Sequence, residues 1–206
     1  MLGILGGTFD PVHYGHLRPA QEAMRALDLV ELRLIPTGQA PHRKPTADAQ
    51  HRLKMVQLAC PEFPGFIVDD IEVRRPGPSY TVDTLATLRA EIGEEPLCLL
   101  MGSDAFQGLE TWHQWQRLSE LAHLVVMYRP GCTLPYLSVW ARERLVERPA
   151  DLASVAAGRL LFQKVTPQHI SGTGLRAALA RREDVRTWLP PPVWDYIQRH
   201  HLYPGT

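Results

Sequence analysis

The sequence contains little cysteine and no excess of either charge. Its three cysteines, Cys60, Cys98 and Cys132, are far apart and form no C-x-x-C pair, which argues against a disulfide framework or a zinc-finger ligand set. The 22 Lys and Arg residues equal the 22 Asp and Glu residues, so non-specific binding to nucleic acid or to an anionic membrane is not expected. A binding site for a small polyanion would therefore depend on a local group of residues and not on the overall charge of the chain.

Long apolar runs and export signals are also missing. No apolar stretch approaches the ~18 residues that a membrane-spanning helix needs, and the first residues lack the basic start and apolar core of a signal peptide. The composition, with 45% hydrophobic and 21% charged residues, is that of a globular protein. We therefore expect a single cytoplasmic domain over residues 1–206.

Short apolar segments alternate with helical segments along the chain. The predicted strands cover residues 2–5, 32–35, 66–68, 97–101, 124–128 and 160–165. The predicted helices cover residues 15–27, 49–60, 81–92, 112–122, 174–182 and 193–200. Residues 71–74 could add a short strand and residues 137–147 a helix. Because most strands lack polar alternation, the pattern predicts an α/β fold: a Rossmann-like, doubly wound parallel sheet with helices on both faces.

The most informative segment is GGTFDPVHYGH at residues 6–16, which follows the first predicted strand and opens the first predicted helix. Gly6 and Gly7 allow a close approach to a phosphate chain because no Cβ intervenes, and the helix start offers N–H donors to the same anion. His13 and His16, three residues apart, can both face one phosphate group and donate to charge developing there. An ordinary strand-to-helix turn is the alternative, but the combination favours a phosphate site.

A second segment, ISGTGLR at residues 170–176, follows the last predicted strand. The hydroxyls of Ser171 and Thr173 can cap a helix N-terminus or bind a phosphate there. Arg176, one turn further on, can reach the same anion with two N–H groups. A plain N-cap with a solvent-facing arginine explains this segment equally well.

A third segment, PTGQAPHRK at residues 36–44, follows the second predicted strand and ends in three consecutive basic residues, His42, Arg43 and Lys44. Taken alone, it is more typical of a solvated basic loop than of a binding site.

A fourth segment, PSYTVDTL at residues 78–85, opens a predicted helix. Its hydroxyls, at Ser79 and Thr81, can be simple caps. The helix start can instead bind a small carboxylate, because its N–H groups and positive dipole end favour an anion, whereas a carboxamide would also need an acceptor.

Asp104 and Trp112 complete the candidate set. A carboxylate that follows a strand, as Asp104 does, is suited to ribose hydroxyls, and the indole of Trp112 offers a flat face to a pyridinium ring. Core packing is the alternative for a tryptophan, and it is the interpretation that we adopt for Trp115.

The segment at residues 7–16 resembles the H-x-G-H signature of the nucleotidylyltransferase superfamily, in the form most similar to bacterial nicotinate-nucleotide adenylyltransferases. The segment at residues 170–176 is similar to the loop that grips the ATP triphosphate in that family, although Gly172 and Gly174 stand where relatives more often carry Ala, Ser or a larger residue. The resemblance implies that the ATP-binding residues are Gly6, Gly7, Thr8, Phe9, His13, His16, Ser171, Thr173 and Arg176.

The same resemblance extends to the acceptor. The segments at residues 36–44 and 78–85 are similar to the family's loops beside the phosphates and around the nicotinate, with Ala40 replacing the first of two paired prolines. The implied residues that bind nicotinate mononucleotide are His42, Arg43, Thr81, Asp104, Trp112 and Arg129.

The function implied is adenylyl transfer from ATP to nicotinate mononucleotide, giving nicotinate adenine dinucleotide and pyrophosphate in NAD biosynthesis. We expect direct attack of one phosphate on another, with His13, His16 and Arg176 as catalytic residues. Mg²⁺ should arrive with ATP, since the sequence has no carboxylate cluster for a protein-held metal. No nucleic-acid or membrane partner is expected, and a homo-oligomer is compatible with the sequence.

Two alternatives stay open at this point. The first is a transferase for another small acceptor, such as phosphopantetheine or nicotinamide mononucleotide. The second is a non-catalytic nucleotide sensor, against which the intact set of His13, His16 and Arg176 argues.

Overall fold

The computed structural model describes residues 1–41, 44–129 and 137–204. Its strands are β1 (Leu2–Gly7), β2 (Glu31–Pro36), β3 (Phe66–Val68), β4 (Leu97–Gly102), β5 (His123–Tyr128), β6 (Leu145–Val146) and β7 (Leu160–Lys164). Its helices are α1 (Tyr14–Ala26), α2 (Ala49–Ala59), α3 (Ile71–Arg74), α4 (Thr81–Ile92), α5 (Ser103–Gln107), α6 (Trp115–Leu121), α7 (Val139–Arg144), α8 (Gly172–Ala180) and α9 (Pro191–Arg199). Short 3₁₀ turns cover Cys60–Glu62, Leu109–Thr111, Pro149–Ser154 and Arg186–Trp188.

The strands form one seven-stranded sheet in the order β3-β2-β1-β4-β5-β7-β6. The pairs β1 with β4, β4 with β5, β5 with β7 and β6 with β7 are parallel. The chain moves outward from β1 through β2 to β3 and then returns to the other side of β1 with β4. The predicted α/β, doubly wound architecture is confirmed. In sheets of this kind, ligands bind at the carboxyl ends of the strands, next to the residues that follow each strand.

The chain divides into two compact units. Unit 1 comprises Met1–Gly6, Glu22–Arg33 and Tyr80–Pro167, and unit 2 comprises Gly7–Gln21, Leu34–Ser79 and Gln168–Thr206. The core of unit 1 is built on β4 and β5, in which every residue from Leu97 to Met101 and from Leu124 to Val126 is buried. The core of unit 2 is built around α2 and the N-terminal half of α1. No helix in the described ranges is both long enough and apolar enough to cross a membrane.

The predicted strands and helices lie where the sequence placed them, with ends that coincide or differ by at most three residues. Residues 71–74 are the exception, because they form the short helix α3 and not the expected strand. The Asp69 side chain accepts a hydrogen bond from the N–H of Ile71 at 2.9 Å, and Asp70 pairs with Arg74 at 2.7 Å across one helical turn. These local contacts stabilise a helical turn, although the alternation of apolar and polar residues in this segment is typical of a strand.

The helix predicted from Trp112 begins three residues later, at Trp115. Trp112 follows a 3₁₀ turn in an extended conformation, and Gln114 has a left-handed φ of 49°. A residue in that region cannot continue a right-handed helix, so α6 begins after it. Residues 145–146 form the short edge strand β6, in a region where the sequence indicated only a helix.

Candidate active site

The segment between β1 and α1 brings two histidines together in unit 2. The imidazoles of His13 and His16 stack with their centroids 3.8 Å apart and their planes at 21°. Their spacing is set by the start of α1, because the carbonyl of His13 accepts the N–H groups of His16 and Leu17. The first turn of the helix therefore holds both rings in one orientation.

Phe9 packs against this pair. Its ring meets the His16 ring edge to face, with the centroids 5.3 Å apart. Phe9 is buried and has a left-handed φ of 47°, which is uncommon for a bulky side chain. A Cβ at Gly7 would lie 3.1 Å from the Phe9 ring, so glycine at position 7 leaves room for the phenylalanine. The Phe9 side chain thus packs over the turn between β1 and α1 and also orients His16.

The two histidines have unused hydrogen-bonding atoms. Among the described residues, Nδ1 and Nε2 of His13 and Nδ1 of His16 are buried without a hydrogen-bond partner. Such groups are rare in native structures and call for an explanation. Burial lowers the pKa of His13 to about 2, assisted by the nearby His16 and Arg176, and burial lowers the pKa of His16 to about 4. Both rings are therefore neutral near pH 7, and each can donate one hydrogen bond without carrying a permanent charge.

The segment at residues 170–176 lies against the same helix start. A Cβ at Gly15 would come within 2.6 Å of the Ile170 carbonyl oxygen and 2.8 Å of Nδ1 of His13. Only glycine allows this approach, because any side chain would collide with backbone. Gly15 of the histidine motif therefore has a packing role that brings the two segments together.

Arg176 is held close to the histidines by α8 and by the loop after β1. Its Nη1 donates to the carbonyl oxygen of Asp10 at 2.8 Å, and its Nη2 donates to Oγ1 of Thr173 at 3.3 Å. Ser171 caps α8 by accepting from the N–H of Gly174 at 3.1 Å, so the capping interpretation holds for its hydroxyl. The structure thus brings together His13, His16, Thr173 and Arg176.

Asp10 is a buried residue that hydrogen-bonds to distant segments of the chain, and the sequence suggested no such role for it. Its carboxylate accepts hydrogen bonds from the N–H groups of Thr46 and Ala47 at 2.7 and 3.0 Å and from the Tyr203 hydroxyl at 2.8 Å. Burial acts to raise the pKa of Asp10, but the donors from Thr46, Ala47 and Tyr203 together with Arg176 outweigh it and lower that pKa. Asp10 therefore stays ionised and ties the histidine segment to the residues that precede α2.

Arg52 is a second residue that the sequence did not single out. It lies on the buried face of α2 with 1% of its surface exposed and donates hydrogen bonds to three main-chain carbonyls. One of these is the carbonyl of Thr8, next to Phe9 in the histidine segment. A charge within an otherwise apolar helix face is the only signal of this role in the sequence.

The other predicted residues that the structure describes lie in unit 1. Asp104 is exposed in the first turn of α5, directly after β4, and Arg129 is exposed directly after β5. Because β4 and β5 are parallel neighbours, with Gly102 opposite Met127, Asp104 and Arg129 both lie at the carboxyl end of the sheet. Trp112 is half-buried between the 3₁₀ turn and α6.

The start of α4 differs from the simple cap that the sequence allowed. Tyr80 is the N-cap residue, and it makes no side-chain capping bond to any described residue. Ser79 does not serve the helix either, because its buried Oγ accepts from the N–H groups of Gly38 and Gln39 at 3.2 Å each. The Ser79 hydroxyl is therefore engaged with the backbone of Gly38 and Gln39 and does not cap α4. His42 and Arg43 lie outside the described residues.

Comparison with known proteins gives this arrangement a family. The "Cytidylyltransferase-like" family model matches residues 4–178, which include both the histidine segment and the segment that ends at Arg176. A solved structure, "Plasmodium falciparum nicotinic acid mononucleotide adenylyltransferase complexed with NaAD", matches 98% of this chain and 96% of its own with a TM-score of 0.77 at 16% sequence identity. That likeness is one of fold.

Curated relatives are far closer in sequence. A protein of Aeromonas hydrophila is 48% identical over 98% of this chain and 96% of its own length, and one of Halorhodospira halophila is 50% identical over 93% and 90%. Both carry the name "Probable nicotinate-nucleotide adenylyltransferase". A relative from Methylococcus capsulatus with the same name is 47% identical over 98% and 99%. With this identity over nearly its whole length, the chain belongs to the nicotinate-nucleotide adenylyltransferase family.

Proposed function

We propose that this protein transfers the adenylyl group of ATP to nicotinate mononucleotide, forming nicotinate adenine dinucleotide and pyrophosphate in the biosynthesis of NAD. The observation that carries the proposal is the stacked, neutral pair of His13 and His16 with unused nitrogens, near Arg176 of α8. The family to which the chain belongs supports the choice of acceptor.

The reaction needs no side-chain nucleophile. An oxygen of the mononucleotide phosphate, already ionised at neutral pH, forms a bond to the α-phosphorus of ATP. The bond from that phosphorus to the bridging oxygen breaks, and pyrophosphate leaves with the electron pair. Catalysis then consists of positioning and of stabilising charge on the phosphoryl oxygens.

The histidines are suited to that second task. An imidazole donates through one nitrogen when neutral and through both when a bound polyanion has raised its pKa, and in a buried site such a donor stabilises developing charge more strongly than it would in water. Arg176 adds a permanent positive charge and is held in place by the Asp10 carbonyl. The N–H groups of the loop from Gly6 to Phe9 and the hydroxyls of Ser171 and Thr173 would complete the ATP site.

We assign the acceptor to a second set of residues, of which Thr81, Asp104, Trp112 and Arg129 belong to unit 1. We assign the ribose hydroxyls to Asp104, the pyridinium ring to Trp112 and further contacts on the mononucleotide to Arg129, together with His42 and Arg43. The backbone N–H groups at Thr81, at a helix start without a side-chain cap, favour a carboxylate on the ring over a carboxamide.

Magnesium enters this proposal as part of the nucleotide substrate. In the described ranges no three His, Cys, Asp or Glu side chains converge in a way that suits a metal ion, and the Asp10 carboxylate already accepts three hydrogen bonds. These residues do not fit a resident Mg²⁺ site, and Mg²⁺ commonly binds mainly to substrate phosphates. We further propose that residues 1–206 act as one catalytic domain in the cytoplasm.

One assay tests the proposal against its alternatives. Pyrophosphate release is measured with ATP, Mg²⁺ and each of three acceptors in turn: nicotinate mononucleotide, nicotinamide mononucleotide and phosphopantetheine. We expect release with nicotinate mononucleotide at a kcat/KM at least about tenfold above the others, which corresponds to roughly 1.4 kcal/mol.

Two other outcomes would contradict the proposal. A preference for either of the other acceptors would make the protein a transferase of different specificity. Tight binding of ATP without release of pyrophosphate in the presence of any of the acceptors would favour a nucleotide sensor.

A further inference from the structure

Arg52 joins three stretches of main chain through one buried guanidinium group. Nε donates to the Ala47 carbonyl at 3.1 Å, Nη1 to the Thr8 carbonyl at 2.7 Å and Nη2 to the Gly38 carbonyl at 3.1 Å. Its neighbours on the same face of α2, Leu53, Met55, Val56 and Ala59, are apolar and buried. Arg52 is thus a charged group in a position that a core side chain would normally occupy.

Burying this charge is unfavourable in itself. Burial lowers the pKa of Arg52, although the acidic groups of Asp10, Tyr203, Asp48 and Glu72 act in the opposite direction. An apolar residue of similar length would avoid that cost, and replacing buried charges by apolar groups is often neutral or stabilising. What an apolar residue cannot do is hold three carbonyls in a fixed relation, which the rigid fork of a guanidinium allows.

The contact with Thr8 has a geometric consequence for the next residue. The peptide bond between Thr8 and Phe9 is planar and trans, so the carbonyl of Thr8 and the N–H of Phe9 point in opposite directions. Because the carbonyl is fixed on Arg52, the N–H of Phe9 must point away from Arg52. Phe9 also has a left-handed φ, a conformation that persists only where surrounding contacts enforce it.

The other two carbonyls anchor the segment between β2 and α2. At one end, Gly38 donates its N–H to Ser79, and a Cβ there would collide with the Glu72 carbonyl. At the other end, Ala47 donates its N–H to Asp10 while its carbonyl accepts from Arg52. Asp10 and Arg52 therefore hold the same residue, Asp10 through its N–H and Arg52 through its carbonyl.

We propose that Arg52 is a positioning residue for ATP: it holds the Thr8–Phe9 peptide in the orientation that presents the Phe9 N–H to the phosphate chain. The inference rests on the proposed function for the identity of the nucleotide. Because its three hydrogen bonds all go to main-chain carbonyls, Arg52 acts on the nucleotide through the backbone. Its loss allows this peptide to rotate, and the site loses a preorganised donor beside His13 and His16.

The test compares two arginines that both bind main-chain carbonyls. Arg52→Met removes the fork and keeps the apolar length, and Arg52→Lys keeps the charge but provides no rigid fork. Arg89→Met is the matched control, because Arg89 donates to the carbonyls of Leu121, Ala156, Gly93 and Glu95 in unit 1. For each protein, the Kd of MgATP is measured by calorimetry without acceptor, and the Tm by thermal unfolding.

We expect Arg52→Met and Arg52→Lys to raise the Kd of MgATP by about tenfold or more, because losing one hydrogen bond to a charged group weakens binding by roughly this factor. Arg89→Met should lower Tm while leaving the Kd within about twofold of the wild type. The inference fails if folded Arg52→Lys or Arg52→Met binds MgATP as the wild type does, or if Arg89→Met weakens binding equally. The proposed function is tested separately, because its failure would be a wild-type protein that binds MgATP but releases no pyrophosphate with nicotinate mononucleotide.

Discussion

Acidification from about pH 7 to about pH 5 should destabilise this protein through His13 and His16. Their pKa values are lowered to about 2 and about 4 in the folded state, chiefly by burial, whereas an exposed histidine titrates near 6.5. As the pH falls below 6.5, the unfolded chain takes up protons that the folded chain does not, so stability decreases. Between pH 7 and pH 5 each histidine should account for a loss of about 2 kcal/mol, or about 4 kcal/mol for the pair.

Urea unfolding at about pH 7, 6 and 5 measures this effect in the wild type, His13→Asn and His16→Asn. Each substitution should remove about 2 kcal/mol of the loss, whatever its effect on stability at pH 7. Leu17→Ala is the control, because Leu17 is buried in the same helix and does not titrate. It should lower the free energy of unfolding equally at every pH. Parallel curves for the wild type and His16→Asn would refute the assignment of a buried, neutral His16.

Three further predictions concern the proposed reaction. His16→Ala should fold but lose on the order of 10² to 10³ in kcat, as is typical for one lost preorganised donor, and near wild-type turnover would remove its role. Arg176→Ala should raise the KM for ATP, whereas a change confined to the KM for nicotinate mononucleotide would show that Arg176 is not an ATP ligand. Trp112→Ala should reduce kcat/KM for nicotinate and nicotinamide mononucleotide by similar factors, because the indole contacts the ring that both share. A ratio that collapses in this variant would contradict the assignment of acid recognition to Thr81.

The central strands and the histidine motif could be predicted because their signals are local. A continuous apolar run indicates a strand buried on both faces, and the sequence from Gly6 to His16 contains the whole turn that stacks the two histidines. For residues 71–74 the sequence allows a short strand, because apolar and polar residues alternate there, and the structure shows a helix. The hydrogen bond that the Asp69 carboxylate accepts from the Ile71 N–H and the pairing of Asp70 with Arg74 favour a helix, and a periodicity does not reveal such bonds.

The supporting residues could not be predicted, because their roles depend on contacts between segments distant in sequence. Arg52 reaches back to Thr8, and Asp10 accepts a hydrogen bond from Tyr203 near the other end of the chain. Ser79 lies beside a helix start and therefore suggests a cap, yet it binds the backbone of Gly38. In each case the sequence identifies a polar residue, and only the fold determines which group it contacts.

The unused nitrogens of His13 and His16 lead to a last prediction, that binding of MgATP is accompanied by proton uptake. Both rings are neutral in the free protein near pH 7. A triphosphate beside them favours the charged imidazole, so the pKa of the contacting histidine rises on binding. Calorimetric titrations with MgATP at about pH 6, in two buffers of different ionisation enthalpy, measure the protons taken up. His16→Asn should take up fewer protons than the wild type, while any change on the nucleotide itself cancels between them. Equal uptake in the two proteins would mean that His16 stays neutral in the complex and acts only as a hydrogen-bond donor.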